Sequence, residues 1–517
     1  MAPNGTDVGI IARQSIKGTI ATYVGAVIGL LTTFVVQTKY LTPEEIGLKT
    51  VLVDTTAVML VGLAQLGASS SIIRFFPHFR DDRHADHGFF FWTIVVPLLG
   101  FALFGTAYVL ARDWVAEVFG AKSPLFVRYW YVVLPLSFAM LYQTVFEVNC
   151  NVLMRIVVPR MVREVGLKLG SLVVYILYAL GWIGIDGFAW SFCVVYGLAA
   201  LINLAYLLTL KKISLRPDFS HITPQIRRTF LFYTLFATAS AFGTAIAPSL
   251  SALFVSAQLG LAFTGIYTIA TNMSQCIQMP YRSLGPIAQP IISQAFKDGD
   301  YAHINRTIQD VALHQFVIGS VVFMGIWFNI DAIFRILPNG QEYAQGKWVV
   351  LILCVMQLFA STMSVCIYVL NYSRYYYWSL LFTIGLTVVS VLLNNWLLPL
   401  WEMEGAAVAT LLANLLYFGG MQLLIYRLLG TGVLSRNLLR LTGLFLLLCL
   451  LNALWTHLLT PLLPDTLICC LADTALRSIL LIGGCVVYIY RSALSPQINA
   501  LVDNTLRLLH IRKQNKS

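Results

Sequence analysis

Apolar stretches of roughly twenty residues recur along the whole chain, separated by short polar breaks, and that is the length a helix needs to cross the hydrocarbon core of a bilayer. The pattern predicts spans at about 16–37, 46–72, 88–111, 127–149, 164–184, 187–210, 229–257, 261–283, 310–334, 347–370, 376–398, 404–427, 439–460 and 475–491. Fourteen is an even number, so both ends of the chain are expected on one side. The expected fold is an all-α integral membrane body, not a string of soluble domains.

Composition sharpens that reading. Hydrophobic residues make up 58% of the chain and charged residues 11%, where a soluble domain carries about 25% charged. Mean hydropathy is +0.77. The net charge of +11 needs no nucleic acid to explain it. With the N-terminus in the cytoplasm, the cytoplasmic segments take all but eight of the 34 Lys and Arg residues. The eight are Lys39, Lys49, Arg112, Lys122, Arg128, Arg335, Lys347 and Arg477. That asymmetry obeys the positive-inside rule and sets the cations beside an anionic leaflet. Both termini are therefore predicted to be cytoplasmic. The first apolar stretch is too long for a signal-peptide core and has no small-residue cleavage site after it, so it is expected to be a retained helix. The nine cysteines show no CxxC or metal spacing and read as small core residues. Adjacent Cys469 and Cys470 are expected to stay unlinked, because a vicinal disulfide is strained.

The chain also repeats itself. Leu41, Gly47 and Thr50 recur as Leu259, Gly265 and Thr268 at one offset of 218 residues. The same offset carries Leu66-Gly67 onto Leu284-Gly285, Asp82 onto Asp300, and Asp186-Gly187 onto Glu404-Gly405. Glycine is fixed where backbones approach closely or turn, which gives the matches weight. Six spans separate equivalent elements, so the two copies share one orientation and are related by an axis along the membrane normal. The predicted layout is an N-lobe of six helices over 1–212, a C-lobe of six over 213–430, and helices 13 and 14 with a basic amphipathic tail over 431–517. Lobes of this kind rock about a site between them, giving alternating access.

Several short motifs are familiar. Ser15-Ile-Lys17-Gly18, the turn Leu41-Thr-Pro43-Glu-Glu-Ile-Gly47, Gly67 followed by Ile73-Arg74-Phe75-Phe76-Pro77, and Gly405-Ala-Ala-Val-Ala-Thr410 resemble the polysaccharide transporter family. These are the Wzx-type O-antigen flippases of the multidrug/oligosaccharidyl-lipid/polysaccharide exporter (MOP) superfamily, which includes the MATE-like drug exporters. The resemblance covers the layout of about residues 10–430. It implies export of an undecaprenyl-diphosphate-linked oligosaccharide across a bacterial inner membrane, for lipopolysaccharide, capsule or exopolysaccharide synthesis. It further implies a monomer with a polysaccharide polymerase and chain-length proteins as partners. The Ser-Arg and Gly-Phe-Arg-Asp signature of lipid II flippases is absent from the first helix.

An anionic headgroup calls for Arg and Lys donors. Candidates on helices that face the lobe interface by that resemblance are Arg13, Lys17, Lys49, Arg228 and Arg282. For each the plainer alternative is snorkelling to lipid headgroups. Asp54 lies about two turns into helix 2 and the repeat places Asn272 at the equivalent point of helix 8. A charge at that depth is costly unless paired or hydrated, so Asn272 is a cavity-lining candidate and Asp54 a proton or sodium site. A helix-packing hydrogen bond is the alternative. Gln143 and Glu147 share one face of helix 4 beside Arg163, Glu164 and Lys168. That cluster is either an ion-pair brace or, through Glu147, a coupling site. Pro248 inside helix 7 is a candidate hinge. His78, His84 and His87, with Asp81, Asp82 and Asp86, crowd one loop without a standard metal spacing, so no metal site is assigned.

No nucleotide-binding loop or Ser/His/Asp constellation is present, so neither a cofactor nor ATP hydrolysis is expected, and an ion gradient is the expected energy source. A drug exporter of the same superfamily and, in another class, a membrane-embedded glycosyltransferase or polymerase are the competing readings. The cationic helices 1, 2, 7 and 8 disfavour the first, and the lack of a large catalytic loop disfavours the second.

Overall fold

The computed structural model describes residues 21–79, 88–210, 234, 238, 246–430, 432–462, 464 and 466–491. Among them there is no strand, and ten helices are long and apolar enough to cross a membrane. The chain packs as two compact units, Met1–Ile269 and Ala270–Ser517. This division follows packing, whereas the lobes above follow internal similarity.

Unit 1 contains α1 (Ala21–Tyr40), α2 (Pro43–Ala64), α3 (Phe89–Leu110) and α4 (Trp130–Val152). It continues with α5, which runs from Val157–Met161 through a wide turn at Val162–Gly166 into Leu167–Ala179. Then come α6 (Ile185–Thr209), α7 (Leu250–Gln258) and the start of α8 (Leu261–Gln275). The rest of α8 opens unit 2, followed by a helix at Met279–Asp298, then α9 (Tyr301–Trp327) and α10 (Gly340–Tyr372). The continuous stretch Tyr377–Leu429 breaks at Trp401 and Glu402, giving arms α11 and α12. Its break falls in the predicted gap between 398 and 404. Helices α13 (Arg436–Leu458) and α14 (Leu467–Arg491) close the unit. About half of the predicted span 229–257, nearly all of the part before 246, lies outside the described residues.

The side chains say what solvent these helices meet. Leu99, Leu103, Leu392 and Leu416 are all more than 60% exposed on their helices, and such faces are stable against hydrocarbon rather than water. Helices α2, α4 and α10 are instead mostly buried and form the packed interior of their units.

Local chemistry sets the turns. At the start of α2, Thr42 Oγ1 accepts from the Glu45 amide at 3.3 Å while Glu45 Oε2 accepts from the Thr42 amide at 2.8 Å, with Pro43 at the first helical position. This reciprocal cap satisfies two otherwise unpaired amides. Tyr178 of α5 donates to the other oxygen of Glu45, so the α1–α2 turn is tied down. All nine cysteines are free thiols.

In unit 2, a buried polar knot fastens α14. Arg477, whose side chain is 6% exposed, donates to Thr456 Oγ1 of α13 at 2.6 Å and to the Phe328 carbonyl at the end of α9 at 2.5 Å. Asp473 lies 4.0 Å from it and accepts from Trp455 Nε1 at 2.8 Å. Ser478 Oγ donates to Asn329 Oδ1 at 3.0 Å.

Candidate functional site

Among the described residues of unit 1, three helices wind as π-helices over part of their length, at Thr32–Gln37 in α1, Thr50–Ala57 in α2 and Val162–Gly166 in α5. Such winding is uncommon and concentrates at functional sites. It also changes which residues share a face. Residues five apart diverge in an α-helix but come into line when each amide reaches back to the fifth residue before it. Lys49 and Asp54 are five apart, and Lys49 Nζ donates to Asp54 Oδ2 at 2.5 Å. The Lys49 side chain is 18% exposed and that of Asp54 43%, so the carboxylate is the more accessible partner. Around them, Gln37 Nε2 of α1 donates to the hydroxyl of buried Tyr175 in α5 at 2.9 Å. Tyr175 and Tyr196 of α6 are near enough to feel the charge of Lys49. One cation and one carboxylate thus sit among four helices with amide and phenol donors at hand.

A second cluster braces α4 against α5. Arg163 Nη1 donates to Glu147 Oε1 at 2.7 Å, Gln143 Nε2 donates to Glu147 Oε2 at 3.2 Å, and Glu164 lies 3.3 Å from Arg163 and 3.6 Å from Lys168. Both oxygens of buried Glu147 are therefore held. Helix α1 rests on this brace through Gly25, where a Cβ would strike the Glu164 carbonyl, and Gly29, which lies against the Lys168 stem.

Beside the Lys49 pair, α2 meets α8. Gly47 faces the Leu261 carbonyl and the Gly265 amide, and Gly265 faces the Pro43 carbonyl, so that a Cβ on either glycine would overlap backbone. Pro43 and Leu261, like Gly47 and Gly265, are counterparts at the 218-residue offset. The contact is consequently reciprocal, as two related surfaces packed about a local twofold must be. A further contact of α7 adds to it: Ser123 Oγ donates to the Ser256 carbonyl at 2.6 Å and lies 3.1 Å from Ser256 Oγ. Nearby Gly260 has φ +105° and sits under the Lys122 carbonyl, a conformation and a space that only glycine fills.

The other sequence candidates fall as follows. Asn272 lies half-buried in the last turns of α8, where its carbonyl accepts from Cys276 Sγ at 3.7 Å. Pro248 stands in a 3₁₀ turn, Ala247–Ser249, immediately before α7. Arg13, Lys17 and Arg228 lie outside the described residues, as do His84, His87 and the C-terminal tail beyond 491. Arg282 belongs to the helix Met279–Asp298, but its side chain, like that of His78, is outside what is described. Among the described residues, no group of three His, Cys, Asp or Glu side chains could hold a metal ion. In the sequence Lys49 and Asp54 stand as separate candidates, and neither their pairing nor the nearness of Gln37, Tyr175 and Tyr196 is legible there. Polar residues inside apolar stretches were the available signal, but nothing in the sequence announces π winding.

The fold has known counterparts. A structure of the lipid II flippase MurJ in an inward closed conformation superposes with a TM-score of 0.71 at 14% identity, covering 93% of this chain and 100% of its own. An inward-facing multidrug resistance MATE family transporter of the MOP superfamily gives 0.56 at 15% identity, over 77% of this chain and 94% of its own. A MOP superfamily transporter from Pyrococcus furiosus gives 0.54 at 17% identity, over 80% and 95%. At these identities the likeness establishes the fold. No curated protein sequence matches the chain. A family model described as polysaccharide biosynthesis protein matches residues 11–296. With more than half of its length matched, this multi-pass membrane protein belongs to the polysaccharide biosynthesis protein family and has the MOP transporter fold.

Proposed function

We propose that the protein is a flippase that carries an undecaprenyl-diphosphate-linked oligosaccharide from the inner to the outer leaflet of a bacterial cytoplasmic membrane by alternating access. The observation that carries this reading is the reciprocal Gly47–Gly265 contact, with the Lys49–Asp54 pair beginning two residues further along α2. A seam between repeat-related helices is where a two-lobed transporter opens and closes. A mostly buried lysine beside it supplies a donor for a diphosphate, and Arg13, Lys17, Arg228 and Arg282 are proposed to extend that cationic path, with Asn272 as a further cavity-lining residue.

Asp54 is the proposed proton or sodium site, since its carboxylate is the more open half of the pair. Glu147 is the weaker coupling candidate because Arg163 and Gln143 already occupy both of its oxygens. Pro248 is proposed as the hinge, because a 3₁₀ turn ahead of α7 leaves fewer backbone bonds to break there. Polymerase and chain-length proteins would take the product on the outer face.

The test uses proteoliposomes holding the purified chain and a fluorescent undecaprenyl-diphosphate oligosaccharide loaded on one leaflet. Flipping appears as label becoming accessible to a membrane-impermeant quencher on the other side. Equal rates with and without the protein, or transport of a drug cation instead, sink the reading. In cells, deletion should trap the lipid-linked oligosaccharide on the inner leaflet.

A further inference from the structure

At one end of unit 2 four helix termini converge: the end of Met279–Asp298, the start of α9 at Tyr301, the end of α10 at Tyr372 and the end of α12 at Leu429. They line an open-mouthed cavity of about 440 Å³, within the range of small-molecule sites, roughly 300–1,000 Å³. Its walls are of two kinds. Phe296, Leu428 and Leu429 form an apolar side, while Tyr301, Tyr372 and Arg374 present polar groups.

The polar side is set up to receive an anion. Arg374 is exposed and its guanidinium lies over the Tyr375 ring at 4.8 Å. Tyr372 Oη accepts from Gln289 Nε2 at 2.7 Å, which leaves the phenol hydrogen free to donate. The Ser373 hydroxyl, by contrast, already donates to the Leu370 carbonyl at 2.9 Å and accepts from the Tyr375 amide at 3.1 Å. Neighbouring carboxylates are engaged elsewhere: Asp298 accepts from Gln294 and Asp300 caps the His303 amide. Two more cations, Lys297 and Arg427, stand in the last turns of the helices that end here.

The same end carries the run Tyr375-Tyr-Tyr-Trp378, with Tyr376 and Tyr377 more than half exposed. Aromatic side chains of that kind mark the headgroup level of a bilayer. Arginine prefers phosphate because its planar fork can make two charge-assisted hydrogen bonds at once.

We propose that this cavity holds the phosphate headgroup of an anionic phospholipid, with the phosphate on Arg374 and Tyr372 and the upper acyl chain against Phe296, Leu428 and Leu429. The site is independent of the proposed transport path and stands whether or not the flippase reading does.

The test is native mass spectrometry of the full chain, delipidated and then offered phosphatidylglycerol or phosphatidylcholine. Preferential retention of phosphatidylglycerol is expected. Arg374→Gln should lower that retention about tenfold, the size of one charge-assisted contact. Tyr372→Phe, which keeps the ring and loses only the donor, should lower it less. Equal retention of the two lipids, or unchanged phosphatidylglycerol retention in both variants, overturns the proposal. Inorganic phosphate and glycerol phosphate form the other arm. If either displaces the lipid at low millimolar concentration in an Arg374-dependent way, the site serves a free phosphate and the lipid assignment falls.

Discussion

Lys49 donates to Asp54 across a π-helical turn, a partnership between residues five apart that regular α winding would have pointed in different directions. Because the lysine is the more buried partner, removing the carboxylate strands a cation in a poor solvent. Asp54→Asn and Lys49→Ala are each expected to slow flipping by roughly tenfold. The double variant should be little worse than either alone, since one interaction is being removed twice. Initial rates in proteoliposomes with and without an imposed proton or sodium gradient measure this. An Asp54→Asn protein that keeps its wild-type gradient dependence ends the coupling role for that residue.

The α7 contact offers a reversible lock. Ser123 Oγ and Ser256 Oγ are 3.1 Å apart, so cysteines at both positions need only a small adjustment to reach an S–S distance of about 2.05 Å. In a variant whose nine native cysteines are replaced and which still flips, Ser123→Cys with Ser256→Cys should crosslink on oxidation and stop flipping, and a reductant should restore it. Transport that continues through a fully formed crosslink would mean that this contact does not part during the cycle.

Gly47→Val and Gly265→Val place a side chain where the Leu261 and Pro43 carbonyls now lie. Either variant should force α2 and α8 apart, and spin labels on the two helices should report a longer distance than in the unsubstituted protein. Gly443→Ala, on α13 with nothing within 4 Å of its Cβ position, is the matched control and should leave the distance unchanged.

Glu147 is braced from two sides, by Arg163 at 2.7 Å and Gln143 at 3.2 Å. Arg163 is 46% exposed, so water tempers the pair, and Glu147→Gln is expected to cost on the order of 1–2 kcal/mol. Thermal unfolding in detergent, followed by intrinsic fluorescence, should show a lower Tm. Flipping per folded molecule should hold if the brace is structural.

Glu402 adopts φ +49° and ψ −128° at the break between α11 and α12, a region that side chains with a Cβ rarely occupy. Glu402→Gly should raise stability by about 1 kcal/mol by relieving that strain. A lower Tm for this variant would show that the carboxylate contributes more than the backbone loses.

Much of this fold is written plainly in the chain. Apolar runs of bilayer length mark the spans, Thr42-Pro43-Glu-Glu45 encodes its own cap, and the gap between the runs ending at 398 and beginning at 404 holds the break at Trp401 and Glu402. Gly47 and Gly265 were legible as a repeated pair because close backbone approach demands glycine. Their contact with each other was not, because a repeat gives equivalence and leaves distance open. The Lys49–Asp54 pair was hidden for a different reason. Hydropathy and α periodicity carry no term for a local change of pitch, so spacing five looked like separation. Charge counting places Arg477 on the outer side, yet it is buried. Loop-counting rules treat a cation near a helix end as solvated, and only the partners on α9 and α13 reveal otherwise.

Those partners bear on how the molecule is made. An isolated α14 would have to carry Arg477 and Asp473 into lipid, each costing roughly 2.5–3.5 kcal/mol at mid-helix on insertion scales. Thr456, Trp455 and the Phe328 carbonyl relieve that penalty, and all three emerge from the ribosome earlier. The final helix is thus a dependent one. It settles as the closing act of biogenesis, and a nascent chain that mislays its α13 should leave α14 to the quality-control machinery.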